Sequence, residues 1–499
     1  MPARTPVAPW CAALGAIVTA WSCVGSPLAT AGDLRCVFEV TRETVALPAL
    51  VWPRDDAPKV PLAPPKRQTF TLNLGLGRDA LVCEEQEQGA DAPGERIAYD
   101  FLARRVTTSR PSARSYRDTS LYAVVAFRVN ELINRTAMAA SLAAAQAGRP
   151  ADERMPADLI GRYVGRFASE TLFSLRLPPG PPPPKEAPFL QPPLMLAVDR
   201  EVGPGWDFLY NGKAVVQFTP SPRPLPAEFH RTLRHFLAYR CSIHPDARDK
   251  ILAAGVVPGA LTFQYTDVGR LVEETVTLTL KVVRDAQDDP VRVGVPKGYE
   301  PEVDPARPLD LIVRKLSKRL GEVPRPDREG LARFVGEALK RGDDLDAYLA
   351  LCEFTAETGD PALDVGAWIK KSESPQVRAF VAAFDKPTPE DLERRIQALE
   401  SIDRAGLSKG YMIDALCAST LTLLGRTAEA EPRYLKALEA NPLLVDAYVT
   451  LGTSRFQTFQ IEDAWQAFDA ARRIDPASPY LSEVKALETR LAADFPDEF

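Results

Sequence analysis

The chain contains two copies of one unit: residues 445–476 read VDAYVTLGTSRFQTFQIEDAWQAFDAARRIDP, and residues 411–442 read YMIDALCASTLTLLGRTAEAEPRYLKALEANP. Each copy has a small, an aromatic, a small and a proline residue at the same positions, and the two sets are displaced by 34 residues. The first copy has Ala430, Tyr434, Ala437 and Pro442, and the second has Ala464, Phe468, Ala471 and Pro476. This period is typical of helix–turn–helix arrays, in which each unit buries its apolar face only against its neighbours. The two copies therefore predict a helical array at residues 411–476.

The second copy shows why the spacing matters. Leu451-Gly452 lies in its first predicted helix, where a glycine allows the paired helix to approach closely. Ala464 and Ala471 are seven residues apart and share nearly one face of the second helix. Phe468 fills the space between them, and Pro476 ends the unit because proline cannot continue a helix.

This pattern resembles the tetratricopeptide repeat family, whose units combine small, aromatic, small and proline residues on the same period. Tyr448 stands where the family prefers tryptophan. The first copy departs further, since Asp414 takes that place and Cys417-Ala418 replaces Leu-Gly. Pro432 also falls inside its second helix, where it removes a backbone hydrogen bond.

The resemblance implies that a protein or peptide partner would lie along the concave face, which the first helix of each repeat lines. The lining residues would be Met412, Ala415, Ser419, Thr422, Asp446, Val449, Thr453 and Phe456. Chaperone-binding members of the family hold a peptide carboxylate there with Lys and Asn. Those places are occupied here by Ala415, Ser419, Val449 and Thr453, so that clamp is absent.

An alternative is that the repeats mainly pack on neighbouring helices and the first domain and bind no peptide, since three repeats are usually needed for a free-standing array.

The first 31 residues are typical of a secretory signal peptide. Arg4 precedes an apolar run from Trp10 to Val24, and Ala29-Thr30-Ala31 supplies a small-x-small cleavage pattern. We therefore expect cleavage near Ala31 and a periplasmic or secreted protein with no integral membrane segment after cleavage. An uncleaved anchor and lipidation at Cys23 are the alternatives.

The charge of the chain argues against nucleic-acid binding. The formal net charge is −6, and removal of Arg4 with the signal peptide makes it one unit more negative. Binding to phosphates requires clustered Lys and Arg, which a mildly acidic chain lacks. The 45% hydrophobic content predicts an ordered protein despite 46 prolines.

Residues 33–284 are expected to form a mixed α+β domain. Aromatic and β-branched residues predict strands at Leu34–Val40, Thr69–Leu76, Thr262–Tyr265 and Glu273–Val283, and a hairpin at Trp206–Phe218 that turns at Asn211-Gly212. Helices are predicted at Asn134–Ala147, Ala157–Leu172 and Ala227–Tyr239, and Pro178–Pro193 is interpreted as an extended loop.

A proline-punctuated linker is expected at residues 285–308, followed by an all-α region. Irregular helical pairs would occupy residues 309–410, and a capping helix and tail residues 477–499. Apolar spacing predicts helices at Leu309–Leu320, Arg328–Lys340, Leu345–Thr358, Pro375–Phe384, Pro389–Ile402 and Ser482–Asp494. Glu483, Lys485, Glu488 and Arg490 would give the last helix the polar outer face of a terminal cap.

The search for catalytic chemistry finds one constellation, in which Cys241 and His244 lie close to His230 and His235. Zinc accepts thiolate and imidazole ligands, but His230 and His235 would lie about 140° apart around a helix and could not easily share a metal. No cofactor or metal is therefore predicted. Cys36 and Cys83, both in predicted strands, are the expected disulfide in an oxidising compartment.

The sequence therefore predicts an α+β N-terminal domain followed by an all-α helical-repeat solenoid similar to tetratricopeptide repeats. Such a protein would act as an exported protein–protein interaction scaffold or envelope assembly factor. The alternative is an exported enzyme that uses the Cys241 and His244 region and recruits its substrate through the repeats.

Overall fold

The computed structural model describes most of the chain, with gaps. The described residues are 33–46, 64–87, 94–130, 198–202, 204–210, 213–267, 272–286, 291–322, 327–359, 374, 377–378 and 388–499. Six predicted features lie wholly or almost wholly outside them: the signal peptide, the helices Asn134–Ala147, Ala157–Leu172 and Pro375–Phe384, the loop Pro178–Pro193 and the turn Asn211-Gly212.

The N-terminal part is built on an antiparallel sheet. Its strands are β1 (Asp33–Ala46), β2 (Lys66–Leu76), β3 (Ala80–Glu87), β4 (Arg96–Asp100), β5 (Arg105–Arg110), β6 (Ser115–Ser120), β7 (Val198–Val202), β8 (Gly205–Tyr210), β9 (Lys213–Pro224), β10 (Val256–Asp267) and β11 (Val272–Ala286). A two-residue strand, β12 (Glu300–Pro301), adds to β6 in parallel. The predicted strands are all present, and β3 to β7 are additional.

The sheet joins two meanders through its first and eleventh strands. Its order is β12-β6-β5-β4-β3-β2-β1-β11-β10-β9-β8-β7. Strands β1 and β11 pair along their whole length, from Asp33 opposite Ala286 to Ala46 opposite Val272. Alternate residues of β1, such as Leu34 and Phe38, are buried, as expected for a strand with one face on the core.

Short helical segments cover the buried face of the sheet. They are α1 (His230–His235), which continues as a π-helical segment (Phe236–Arg240), and α2 (Pro245–Ala253). The ring of Phe236 stacks on Phe38 at 6.5 Å between centroids, and Tyr239 stacks on Tyr99 at 5.5 Å. Residues 121–130, also helical, contribute further buried apolar side chains.

The predicted disulfide between Cys36 and Cys83 is wrong, because both residues are buried and neither is part of a disulfide. Leu74 of β2 is the register partner of Cys36 on one side and of Cys83 on the other. The two cysteines are thus separated by a whole strand, which puts their Cα atoms about 9–10 Å apart. A disulfide requires less than about 7 Å.

The C-terminal part is helical, as predicted. Its described helices are α3 (Pro308–Glu322), α4 (Arg328–Arg341), α5 (Asp344–Thr358), α6 (Pro389–Glu400), α7 (Tyr411–Leu423), α8 (Thr427–Ala440), α9 (Val445–Gln457), α10 (Ile461–Ile474) and α11 (Ser482–Asp494). Helices α9 and α10 begin and end 34 residues after α7 and α8 (411 to 445, 423 to 457, 427 to 461, 440 to 474). No helix in the described ranges has the length and apolar character needed to cross a membrane.

The outer face of α10 contacts the sheet through ion pairs. Arg117 of β6 contacts Glu462 at 3.0 Å, and Arg105 of β5 pairs with Asp469. Arg307, just before α3, pairs with Asp463. Helix α10 is therefore docked on the N-terminal domain.

The last helix is only partly the polar cap that was predicted. Glu483, Lys485 and Arg490 are exposed. Glu488 is buried instead, accepts a hydrogen bond from Trp465 Nε1 at 3.1 Å and pairs with Arg472 at 2.7 Å. This carboxylate holds α11 against α10.

Candidate functional site: a pocket between the repeat helices and α5

The main candidate site is a pocket of about 250 Å³ in the helical region. Its walls come from α5, α7, α8, the start of α9 and Tyr480, which follows α10. The lining residues are Cys352, Thr355, Ala356, Met412, Ala415, Leu416, Ser419, Tyr434, Leu444, Asp446, Ala447 and Tyr480. The walls are mostly apolar, and these residues include one carboxylate and no basic side chain.

The pocket brings together half of the residues predicted to line the concave face. Met412, Ala415 and Ser419 project from α7, and Asp446 projects from the first turn of α9.

The other four predicted residues do not line the pocket. Thr422 and Thr453 donate their hydroxyls to carbonyls four residues earlier in their own helices, at 2.9 Å each. Val449 is half-buried against the core, and Phe456 packs edge-on against Trp465 with centroids 5.6 Å apart. These four residues therefore lie outside the pocket, and their predicted place on a concave face stays a prediction.

The wall opposite α7 was not predicted. Cys352, Thr355 and Ala356 belong to α5, and Tyr480 donates a hydrogen bond to the carbonyl of Thr355 at 3.0 Å. These residues lie outside both repeat copies, and no local motif marks them. Only the apolar face of the predicted helix Leu345–Thr358 indicated that this helix packs on a neighbour.

Burial in the pocket shifts the titration of its polar groups. Desolvation raises the pKa of Asp446 above its ordinary value, and a contact from Thr450 opposes that shift. Desolvation likewise raises the pKa of Tyr434 to about 12 and that of Tyr480 to about 12, where the Asp446 charge adds to the effect. The pocket thus disfavours the charged form of Asp446 relative to water.

The Cys241 and His244 region is organised for packing. His244 caps α2, where its Nδ1 accepts the backbone N–H of Asp246 at 3.2 Å. Cys241 is buried beside the sheet. Within the described ranges, no three His, Cys, Asp or Glu side chains are grouped so that they could hold a metal ion.

His235 lies in the core of the N-terminal domain. Its ring stacks on Phe101 at 4.0 Å and on Tyr239 at 5.5 Å between centroids. Desolvation lowers its pKa to about 3, and the charges of Arg231, Arg248 and Arg234 add to that shift. The imidazole is therefore neutral in the folded protein at neutral pH.

This histidine should make folding sensitive to acid. Its pKa is about 3 when folded and about 6.5 when unfolded, so the unfolded chain binds the extra proton as pH falls below 6.5. The stability that it contributes is complete above pH 6.5 and should decrease by about 1.4 kcal/mol per pH unit below it. Chemical denaturation at pH 7 and pH 5 should show that His235→Phe abolishes about 2 kcal/mol of the acid destabilisation.

The wild type alone would not isolate the effect of His235, because Glu357 titrates with the opposite effect on stability. Desolvation and the charge of Glu353 raise the pKa of Glu357 to about 7, so its contribution weakens folding as pH rises from 4.5 to 7. The wild type and His235→Phe share this contribution of Glu357, so it cancels when the pH dependences of their free energies of unfolding are subtracted. Equal pH dependence of wild type and His235→Phe would contradict the assignment.

Comparison with known proteins adds little to these observations. No known family profile matches the chain, and no curated protein matches it. Among solved structures, one titled "Lipid-protein interactions in lipovitellin" is similar to 94% of this chain at 10% sequence identity and a TM-score of 0.18. The alignment spans 56% of that structure's chain. A score of this size does not establish a common fold.

Proposed function

We propose that this chain is an exported scaffold whose helical region resembles tetratricopeptide repeats and binds a segment of another protein. The observation that carries the proposal is the pocket, which collects Met412, Ala415, Ser419 and Asp446 from the first helices of two consecutive units. The common 34-residue displacement of helix starts and ends supports the repeat assignment.

Docking on the sheet and binding at the pocket involve different helices. The ion pairs to the sheet use Glu462 and Asp469 of α10, the second helix of its unit. The pocket uses α5, α7, α8 and the start of α9, and none of its lining residues belongs to α10. The N-terminal domain can therefore hold the array in place and leave the pocket to a partner, since the two contacts do not compete for the same side chains.

The proposal can be tested with the full mature chain as bait for a displayed random peptide library. Ser419→Leu would place a larger apolar side chain in the pocket, and Leu423→Ala changes an exposed residue of the same helix. We expect selected peptides to lose at least about tenfold in affinity for Ser419→Leu, because the pocket volume that they occupy is filled. Leu423→Ala should bind as the wild type does.

Thermal melting of both variants separates loss of the pocket from loss of the fold. A selected peptide that binds a folded Ser419→Leu variant as tightly as the wild type would place the binding surface elsewhere. Failure of the wild-type chain to select any peptide would argue against the scaffold itself.

A further inference from the structure

Asp446 is half-buried, and it differs from the buried acidic residues of the described helical region in its lack of a close partner. Its one hydrogen bond comes from Thr450 Oγ1 at 3.5 Å, and no ion pair reaches it from the described residues. Elsewhere the same region pairs its acids closely: Asp414 with Arg404 at 2.7 Å, and Glu488 with Arg472 at 2.7 Å. A half-buried carboxylate that faces a mostly apolar pocket without a close cation favours a ligand that supplies the counter-charge.

The surroundings of Asp446 favour an organic cation as that partner. Tyr434 and Tyr480 line the same pocket, and aromatic faces attract ammonium and guanidinium groups. Met412, Leu416 and Ala415 offer an apolar wall for a methylene stem. A metal ion is a poorer fit, since it would need several oxygen ligands and the pocket offers one carboxylate.

We propose that the pocket is specific for a lysine or arginine side chain of the bound segment, with the Asp446 carboxylate as its counter-ion. This inference rests on the proposed function and adds the chemistry of the partner. The stem of the side chain lies along the apolar wall and its charged end reaches Asp446, an arrangement in which long basic side chains bury their methylenes. The partner is then a basic, extended peptide and not the acidic carboxyl terminus that a Lys and Asn clamp would hold.

The experiment uses peptides selected from the library by the full wild-type chain and confirmed by their sensitivity to Ser419→Leu. Each lysine or arginine in a selected peptide is replaced by norleucine, which keeps the stem and removes the charge. Binding is measured by fluorescence anisotropy against the wild type, Asp446→Asn and Glu439→Gln. Glu439 is exposed, so its variant matches the change in net charge away from the pocket.

We expect one position at which norleucine weakens binding at least about tenfold to the wild type and to Glu439→Gln. Against Asp446→Asn the same replacement should change binding by less than about twofold, because the partner charge is already gone. Equal losses in the wild type and Asp446→Asn, or selected peptides without a basic requirement, would overturn the inference and leave the scaffold proposal standing. Peptides that are all insensitive to Ser419→Leu would overturn the inference and place the binding surface elsewhere, and failure to select any peptide would overturn both proposals.

Discussion

Gly452→Ala should destabilise the protein by about 3 kcal/mol, although alanine is the better helix former by about 1 kcal/mol. A methyl group on Gly452 of α9 would lie 2.5 Å from Cε1 and 2.7 Å from Cδ1 of Phe468, and 2.9 Å from the carbonyl oxygen of Ala464. The ring is buried and the carbonyl belongs to α10, so neither can retreat without separating the two helices. Denaturant titration of the full chain measures the loss.

Gly336→Ala is the matched control. Gly336 also lies within a helix, α4, but a methyl group there would meet no atom within 4 Å. Its replacement should stabilise the chain by up to about 1 kcal/mol through helix propensity alone. If Gly452→Ala were as stabilising as Gly336→Ala, α9 and α10 could not be packed as described.

The close contact at Gly452 was predictable because it follows from the repeat. The 34-residue period places Gly452 and Phe468 in successive helices of one unit, and short connections make such helices antiparallel neighbours. Local periodicity likewise predicted α3 to α6 within two residues at each end, since apolar residues at three- and four-residue spacing mark one buried face. The packing partners of those helices are set by contacts between distant parts of the chain, which the spacing does not encode.

Two of the strands that sequence analysis missed, β5 and β6, carry polar side chains that pair with the helical region. In β6, SYRDTS, only the last residue is buried, so the period of two is absent. The side chain of Arg117 in this strand instead pairs with Glu462 of α10, and Arg105 of β5 pairs with Asp469. A polar strand of this kind is recognisable only once its docking partner is known.

Four of the residues that line the pocket were named from the sequence as part of a concave face, and the other eight were not. The repeat pattern identified the contributions of α7 and α9, which are equivalent positions in two units. Tyr480 and Thr355, which close the opposite wall, are 125 residues apart and belong to no repeat. The disulfide prediction was wrong because the sequence does not give the order of the strands in the sheet. Nothing in the sequence shows that Leu74 lies between Cys36 and Cys83.

Asp414→Ala should cost about 3 kcal/mol, the low end of the 3–5 kcal/mol typical when one partner of a buried ion pair is removed. Asp414 takes the place that tyrosine fills in the second unit, yet it is only 1% exposed. Arg404 contacts it at 2.7 Å, Lys436 at 3.1 Å and Arg433 at 3.3 Å. Burial alone would raise its pKa, but the hydrogen bonds from Arg404 and Lys436 outweigh burial and lower it. The cations keep part of their hydration, which limits the cost of losing Asp414.

Asp343→Ala is the control for this prediction, because Asp343 pairs with Arg341 at a similar distance, 2.8 Å, but its side chain is 48% exposed. Its loss should cost less than about 1 kcal/mol. Denaturant titrations of both variants against the wild type then separate burial from pairing. Similar small losses in the two variants would mean that Asp414 is hydrated in the folded protein. A large loss confined to Asp414→Ala would show that a buried charge cluster stands in the first unit where the second unit has an aromatic contact. In that cluster Asp414 of α7 is held by Arg433 and Lys436 of α8 and by Arg404, which precedes α7.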